Sequence, residues 1–194
     1  GFNFCILVVD DEPAIRETAT ALLSTKGYEV RTAQDGFAAL IELRRALPDL
    51  IISDLRMPNM GGFELLSVVR RRFPLIPVIA ISGEYSGIAP EGLLADAFFT
   101  KGSYKPEDLF RKISDLLQKG PLPRAARRDQ SPVWIPRNDS GYYVVTCTEC
   151  LRSFSVPDDD QAGEMREVAC LYCDCALEYR ADTSYLARKP SRSA

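Results

Sequence analysis

Between residues 4 and 119, short apolar runs alternate with longer runs in which apolar residues recur every three or four positions. The short runs predict buried strands and the longer runs predict amphipathic helices. The predicted strands span residues 4–9, 28–33, 50–53, 78–81 and 97–100. The predicted helices span residues 13–26, 36–46, 62–73 and 106–119, with a short, weak helical stretch at 91–94. Because the elements alternate and the strands are apolar throughout, we predict an α/β domain whose parallel sheet is covered by helices on both faces.

The pattern changes after residue 119. Residues 120–138 lack periodicity and contain four prolines, which is typical of a stiffened linker. Strand-like segments at 142–146, 154–156, around 168 and at 176–179 predict a small β domain at residues 139–185. The basic, serine-containing residues 186–194 are predicted to form a disordered tail. We therefore expect two domains, at 1–119 and 139–185, joined by a Pro/Arg-rich linker.

Composition and charge narrow the class of protein. The chain of 194 residues is 46% hydrophobic and 26% charged, with a formal net charge of −3. Residues 119–138 carry five basic and one acidic side chain, while the regions on either side are net acidic. This distribution excludes a protein whose whole surface binds nucleic acid or anionic membrane. No apolar run approaches the roughly 20 residues that span a bilayer, so we expect a cytoplasmic protein without membrane attachment.

The chain contains no histidine. This absence excludes Ser-His-Asp and Cys-His catalytic sites, histidine metal ligands and the phosphohistidine of a kinase. Phosphoryl chemistry in this chain must therefore use carboxylates. A transition-metal site must use the six cysteines.

Three carboxylates follow two of the predicted strands. Asp10 and Asp11 come after the first strand and Asp54 after the third, while Ser82 follows the fourth and Lys101 the fifth. Taken singly, each Asp is more simply a helix cap and Ser82 a turn residue. Together, they lie at the carboxyl ends of parallel strands, where ligands bind in such sheets. Oxygen ligands without His or Cys favour Mg²⁺, so the set predicts a site for a metal ion and a phosphoryl group.

The motifs around these residues resemble a known family. Val8-Val9-Asp10-Asp11-Glu12 and Asp54-Leu55-Arg56-Met57-Pro58-Asn59-Met60-Gly61-Gly62, together with Ser82 and Lys101, are similar to the receiver domain of bacterial two-component response regulators. The similarity covers about residues 4–119. It implies a flavodoxin-like (βα)5 fold with strand order 2-1-3-4-5.

The resemblance also implies roles for individual residues. Asp54 would accept a phosphoryl group from the phosphohistidine of a sensor histidine kinase or phosphotransfer protein. Asp10, Asp11, Asp54 and the backbone carbonyl of Arg56 would arrange the Mg²⁺. Lys101 would pair with the phosphoryl group and Ser82 would donate a hydrogen bond to it. Phe98 stands where the family has an aromatic switch residue, although a plain core aromatic explains it equally well.

Two departures from the family pattern leave an alternative open. Gly102 follows Lys101, where the family usually has proline, and the region after Ser82 contains two glycines and a proline between residues 83 and 90. The fourth helix is therefore expected to be shortened or irregular. In the family, this helix is part of the surface that often forms a homodimer, so a homodimer is only a weak expectation for this chain. The alternative is a receiver scaffold that never accepts phosphate.

Two Cys-x-x-Cys pairs lie in the predicted β domain. Cys147 and Cys150 are separated from Cys170 and Cys173 by 19 residues, a spacing typical of a tetrahedral Cys₄ zinc site. The surrounding short strands make the segment similar to a zinc ribbon. A pair of disulfides and a rubredoxin-like iron site are the alternatives. Cys175 lies two residues after Cys173 and could compete as a ligand, but it is interpreted as a spare thiol. The remaining Cys5 is interpreted as a small buried hydrophobe.

The output of the second domain is predicted from charge. The ribbon segment is net acidic and has no basic stripe with interleaved aromatics, which favours a downstream protein partner over nucleic acid. A DNA-binding transcriptional regulator that uses linker and ribbon is the alternative. Because no nucleophile-base arrangement follows residue 119, we expect a response regulator of a phosphorelay without a separate enzymatic output.

Overall fold

The computed structural model describes residues 4–83, 89–90, 93–118, 142–157 and 165–180. The chain divides into two compact units, Gly1–Ser131 and Pro132–Ala194. The predicted linker at 120–138 and the predicted tail at 186–194 lie outside the described residues. In the part that is described, no helix combines the length and the apolar character needed to cross a bilayer.

The described part of the first unit alternates strands and helices, and each element ends within two residues of its predicted bounds. The strands are β1 (Cys5–Val9), β2 (Glu29–Ala33), β3 (Leu50–Asp54), β4 (Val78–Ser82) and β5 (Ala97–Thr100). The helices are α1 (Pro13–Ser24), α2 (Gly36–Arg45), α3 (Gly62–Arg72) and α4 (Pro106–Gln118). Pro13 begins α1 at a position where its missing N–H costs no hydrogen bond. The short helix predicted at 91–94 is not observed in its described residues, since Leu93 and Leu94 belong to no helix.

The five strands form one parallel sheet in the order β2-β1-β3-β4-β5. This is the flavodoxin-like order that the resemblance implied. Val9 is paired with Ser53, and Ser82 is paired with Thr100. The residues that follow each of these strands therefore meet at one edge of the sheet.

Alternate side chains of the sheet enter two apolar layers. One layer packs Ile6, Val8, Ile52 and Ile79 against Leu23 of α1 and Ile113 of α4, along with other buried side chains. The intervening residues, such as Leu7 and Ile51, are also fully buried and point to the opposite face. There α2 and α3 contact each other, and α3 is buried along its length from Gly62 to Arg70. Helices thus cover both faces, as the apolar strands predicted.

Two expectations about burial were wrong in detail. The edge strand β2 is not apolar throughout, because Glu29 is exposed and Arg31 reaches the Glu42 carboxylate at 3.3 Å. Cys5 is only partly buried rather than enclosed, and its Sγ accepts a hydrogen bond from Arg31 Nε at 3.3 Å. Both differences arise because an edge strand leaves part of its neighbour open to water and to long polar side chains.

The described part of the second unit contains two antiparallel hairpins. β6 (Tyr142–Thr146) pairs with β7 (Ser153–Pro157), and β8 (Met165–Ala169) pairs with β9 (Ala176–Arg180). The two hairpins share one small apolar core, formed by Tyr143, Val145, Phe154, Val156, Leu177 and Tyr179 with the thiols of Cys147 and Cys170. So few apolar side chains provide limited free energy of folding. The cysteines are therefore candidates for additional stabilisation of this unit.

Candidate functional site

The sheet brings the three predicted carboxylates together. Asp10 follows β1 and Asp54 ends β3, and because β1 and β3 are neighbours these residues lie side by side. One oxygen from each of Asp10, Asp11 and Asp54 lies within 4.8 Å of the others. Asp10 and Asp54 are buried, whereas Asp11 is exposed. Converging carboxylates repel each other unless a cation neutralises them, and an all-oxygen set of this size fits Mg²⁺.

Lys101 supplies positive charge to this cluster. Its Nζ donates to Asp54 Oδ2 at 2.7 Å and to Asp10 Oδ2 at 2.9 Å. The backbone N–H of Lys101 donates to the Ser82 carbonyl at 2.9 Å, which fixes the residue at the end of β5. Gly102, in place of the family's proline, adopts a positive φ of 76°. The lysine ammonium is nevertheless in contact with both buried acids.

Burial and charge act in opposite directions on these groups. Burial raises the pKa of the Asp54 carboxyl above its ordinary value, and the hydrogen bond and charge of Lys101 oppose that rise without cancelling it. Burial alone would lower the pKa of Lys101, but its hydrogen bonds to Asp54 and Asp10 raise that pKa above the ordinary value. The lysine therefore stays protonated beside the carboxylates at neutral pH.

An apolar pocket of about 330 Å³ adjoins the acidic cluster. Its lining includes Asp54 and Lys101 together with apolar side chains of α1 and α4, among them Leu22 and Phe110. The apolar wall excludes part of the water that would otherwise solvate the Asp54 carboxylate. This apolar environment explains why burial has the largest influence on the pKa of Asp54.

The loop after β3 is tied to the start of α2. Asn59, at a positive φ of 63°, donates from Nδ2 to Asp35 Oδ2 at 2.8 Å, while the other Asp35 oxygen caps α2 by accepting from the Ala38 N–H. The Gly36 N–H donates to the Met60 carbonyl at 2.9 Å. These contacts position the loop that carries Arg56, whose N–H donates to Asp54 Oδ1 at 3.2 Å.

Sequence reasoning missed this hydrogen-bonded contact between Asp35 and the loop after β3. An Asp-Gly pair before a predicted helix is a recognisable cap signal, and Asn is favoured at a positive φ. Neither signal shows that Asp35 and Asn59, which are 24 residues apart, contact each other.

Gly62 is predicted to be intolerant of a side chain. A Cβ at this position would lie 2.7 Å from Leu55 Cα and would also overlap the Asp54 backbone. Gly62→Ala is expected to lower the free energy of unfolding by about 1–3 kcal/mol or more, because rigid backbone must move. Urea denaturation followed by the helix signal in circular dichroism measures this, since every described helix lies in the first unit.

Gly83→Ala is the matched control for this substitution. A Cβ at Gly83 would meet Lys101 Cβ at 3.8 Å, which is ordinary van der Waals contact. An equal loss of stability in both variants would contradict the account of Gly62.

The remaining predicted site residues lie on β4 and β5. Ser82 is fully buried at the end of β4, one strand away from Asp54. Phe98 is partly buried on β5 opposite Ala80. Its neighbour Phe99 lies on the other face of the strand, where its ring centroid is 4.9 Å from that of Tyr104. Phe98 is therefore separate from the apolar layer that includes Phe99.

Comparison with known proteins agrees with this arrangement. The family described as Response regulator receiver domain matches residues 6–113, more than half of the chain. The chain belongs to this receiver family. The matched residues include all three carboxylates, Ser82 and Lys101.

Relatives of known name match this chain over about 60% of its length. The probable transcriptional regulatory protein TcrX of Mycobacterium tuberculosis is 31% identical over 125 residues, which are 61% of this chain and 52% of that protein. The chain thus spans about half the length of such curated relatives. The response regulator TrrA of Thermotoga maritima, solved in complex with Mg²⁺-BeF, has 34% identity and a TM-score of 0.54 over 58% of this chain and 98% of that one. CheY4 of Vibrio cholerae has 33% identity and a TM-score of 0.53 over 59% and 99%.

Lys101 is expected to control the titration of Asp54. Lys101→Met removes the hydrogen bond and charge that oppose the raised pKa of Asp54, so that pKa is expected to rise further. Carbon-13 NMR of the aspartate carboxyls as a function of pH measures the change. The exposed Lys105→Met is the control and should leave the Asp54 midpoint in place. A midpoint for Asp54 that stays constant or falls in Lys101→Met would contradict the electrostatic account.

The second unit brings the four predicted cysteine ligands together. The Sγ atoms of Cys147, Cys150, Cys170 and Cys173 all lie within 4.8 Å of one another. The separations Cys147–Cys173 and Cys150–Cys170 are both 3.7 Å. A tetrahedral zinc site with Zn–S bonds of about 2.3 Å has sulfur–sulfur edges of about 3.8 Å. All six cysteines are free, so the disulfide alternative gains no support, and the cluster is compatible with zinc.

The two Cys-x-x-Cys loops have the same backbone geometry. The Cys147 N–H donates to the Arg152 carbonyl and the Cys170 N–H to the Cys175 carbonyl, both at 2.9 Å. The residues after the second cysteine of each loop, Leu151 and Asp174, have φ angles of 57° and 58°. Backbone N–H groups also donate to the first sulfur of each loop, at 3.3–3.4 Å. Such donors favour the thiolate form that binds metal.

Cys175, interpreted from the sequence as a spare thiol, contacts two of the four predicted ligands. Its Sγ lies 3.3 Å from Cys147 Sγ and 3.4 Å from Cys173 Sγ. Burial raises the pKa of Cys147 to about 12, whereas the backbone N–H of Cys175 lowers that of Cys173 to about 7. Metal binding must therefore displace a proton from the buried Cys147 thiol.

Proposed function

We propose that the chain is a response regulator whose Asp54 accepts a phosphoryl group from a sensor histidine kinase or phosphotransfer protein. The observation that carries the proposal is the contact of the Lys101 ammonium with Asp54 and Asp10 inside a cluster of three carboxylates. Receiver domains interact with sensor histidine kinases, and this chain has no histidine of its own to act as donor.

The chemistry follows from the position of each group. An oxygen of the ionised Asp54 carboxylate attacks the phosphorus of the donor phosphohistidine. The P–O bond forms while the P–N bond breaks, and the departing imidazole takes up a proton. Lys101 pairs with the phosphoryl oxygens, since its Nζ is 2.7 Å from the attacking carboxylate group. The product is an acyl phosphate on Asp54.

The acidic residues around Asp54 suit the Mg²⁺ that receiver domains generally bind. Asp10, Asp11 and Asp54 would contribute carboxylate oxygens, and the Arg56 carbonyl lies in the loop directly after Asp54. Bound Mg²⁺ supplies positive charge that neutralises the phosphoryl oxygens during transfer. The relative TrrA was solved in complex with Mg²⁺-BeF, which supports this assignment.

Phosphorylation is proposed to change the conformation at the carboxyl ends of β4 and β5. The phosphoryl group adds about −1.5 to −2 charge and three acceptor oxygens. The Ser82 hydroxyl at the end of β4 donates to it, which draws the end of this strand inward. Phe98 then turns toward the vacated space. The position of Phe98 on β5, outside the layer that contains Phe99, supports this assignment.

The second unit is proposed to be a zinc ribbon that acts as a non-enzymatic output or docking module for a protein partner. Four converging thiols support the metal, and six free cysteines suit a reducing compartment such as the cytoplasm. A homodimer is compatible with the same proposal.

A DNA-binding output is the second candidate. It is favoured by relatives named as transcriptional regulators, such as TcrX, and by the basic side chains of residues 119–138. This candidate predicts DNA binding that weakens steeply as salt rises. Absence of DNA affinity at low salt, with and without phosphorylation, would leave the protein partner as the output.

Uptake of one phosphoryl group tests the proposed function. The full chain is incubated with acetyl phosphate and Mg²⁺, and its intact mass is measured. A mass gain of one phosphoryl group that disappears when Mg²⁺ is chelated is expected. No gain under any condition would favour the scaffold that never accepts phosphate.

A further inference from the structure

A fifth sulfur lies beside the four-sulfur cluster of the second unit. Beside the four predicted ligands, Cys175 Sγ lies 3.3 Å from Cys147 Sγ and 3.4 Å from Cys173 Sγ. Cys147 and Cys173 are themselves separated by 3.7 Å, so the Cys175 sulfur lies against one edge of the four-sulfur cluster. A tetrahedral zinc ion accepts four of these sulfurs and leaves one in reserve.

The fifth sulfur is specific to the second Cys-x-x-Cys loop. The two hairpins repeat with an offset of 23 residues, since Cys170 corresponds to Cys147 and β8 to β6. At this offset Cys175 corresponds to Arg152, and both residues accept the same backbone hydrogen bond through their carbonyls. The backbone of this turn is therefore satisfied without a thiol, and the cysteine side chain needs another explanation.

The ligand beside Cys175 is also the most accessible one. Cys147 and Cys170 are buried and Cys150 is partly buried, while Cys173 is exposed. An exposed thiolate is the ligand that solvent, oxidants and electrophiles reach first. Cys175 is partly buried and packs against the ribbon core, which places a protected thiol next to a vulnerable one.

We propose that Cys175 is an alternative zinc ligand that takes the place of Cys173. The metal is then coordinated by Cys147, Cys150, Cys170 and either of the two sulfurs that lie 3.4 Å apart. This inference rests on the proposed zinc site. Its consequence is that chemical modification of Cys173 leaves a complete set of four thiolates, so the ribbon keeps its metal.

Cobalt binding to the full chain tests the exchange. Co²⁺ replaces Zn²⁺ in thiolate sites, and its charge-transfer absorption reports the number of sulfur ligands. Cys173→Ser and Cys175→Ser are each expected to bind one Co²⁺ with a four-thiolate spectrum. Cys150→Ser, which removes a ligand on the side of the cluster away from Cys175, and the double variant Cys173→Ser/Cys175→Ser are expected to show three thiolates. Their affinity should fall by more than the about 10- to 100-fold that loss of an outer-shell partner costs.

The outcomes separate this inference from the zinc site itself. A three-thiolate spectrum and weakened binding in Cys173→Ser alone, matching Cys150→Ser, would overturn the exchange while leaving the zinc site in place. A wild-type chain that binds neither Co²⁺ nor Zn²⁺ would overturn the site and the exchange together. As a second measurement, alkylation of Cys173 in the zinc-loaded chain should leave the zinc bound, and zinc release on alkylation would contradict the proposal.

Discussion

Asp54→Asn is expected to abolish phosphorylation of the chain by acetyl phosphate in the presence of Mg²⁺. An amide keeps the size of the side chain but lacks the negative oxygen that attacks phosphorus. It also presents a neutral group to the Lys101 ammonium, which lies 2.7 Å from the wild-type carboxylate. Intact mass spectrometry should show the phosphorylated species in the wild type and none in the variant.

Asp108→Asn is the matched control for this variant. Asp108 is an exposed carboxylate on α4 that pairs with Arg111, so its loss changes the same chemical group away from the acidic cluster. The control should be phosphorylated as the wild type is. Equal phosphorylation of Asp54→Asn and the wild type would contradict the assignment of the acceptor.

Removal of zinc is expected to unfold the second unit while the first unit stays folded. The described hairpins share only six apolar core side chains besides their cysteines, whereas structural zinc sites contribute about 10–16 kcal/mol of apparent binding free energy at neutral pH. Without metal, this small core cannot offset the conformational entropy of ordering two hairpins. The sheet and helices of the first unit have their own core and do not depend on the thiols.

Amide hydrogen exchange, read separately for each unit, measures this difference. After chelation, amides of β6 to β9 should exchange rapidly, while those of β1 and β3 should stay protected. Cys150→Ser should resemble the chelated protein. Cys5→Ser is the control, because Cys5 lies in β1, in the other unit. Protected amides in β6 to β9 of the metal-free chain would contradict a metal-dependent fold.

The receiver site was predictable because parallel strands impose it. The apolar runs located each strand within two residues, and the carboxyl ends of adjacent parallel strands must lie at one edge. Asp10, Asp54 and Lys101 could therefore be assigned to one cluster before any distance was measured. The order of the strands was implied by the resemblance to receivers and not by periodicity.

Other features depended on contacts that spacing does not encode. The hydrogen bond between Asn59 and Asp35 joins two loops that only the folded sheet brings together. The partial exposure of Cys5 depends on the neighbouring edge strand β2. In the second unit, spacing identified the four cysteines of the two Cys-x-x-Cys pairs as candidate ligands, but the contact of Cys175 with Cys147 depends on how two hairpins meet.

The position of the phosphoryl group in the wild-type chain tests the central claim most directly. The chain is phosphorylated with acetyl phosphate and Mg²⁺, the acyl phosphate is reduced with borohydride, and the modified residue is located by peptide sequencing in a mass spectrometer. The account predicts modification at Asp54 alone. Modification at Asp10 or Asp11 with Asp54 unchanged, or no acyl phosphate at all, would contradict it.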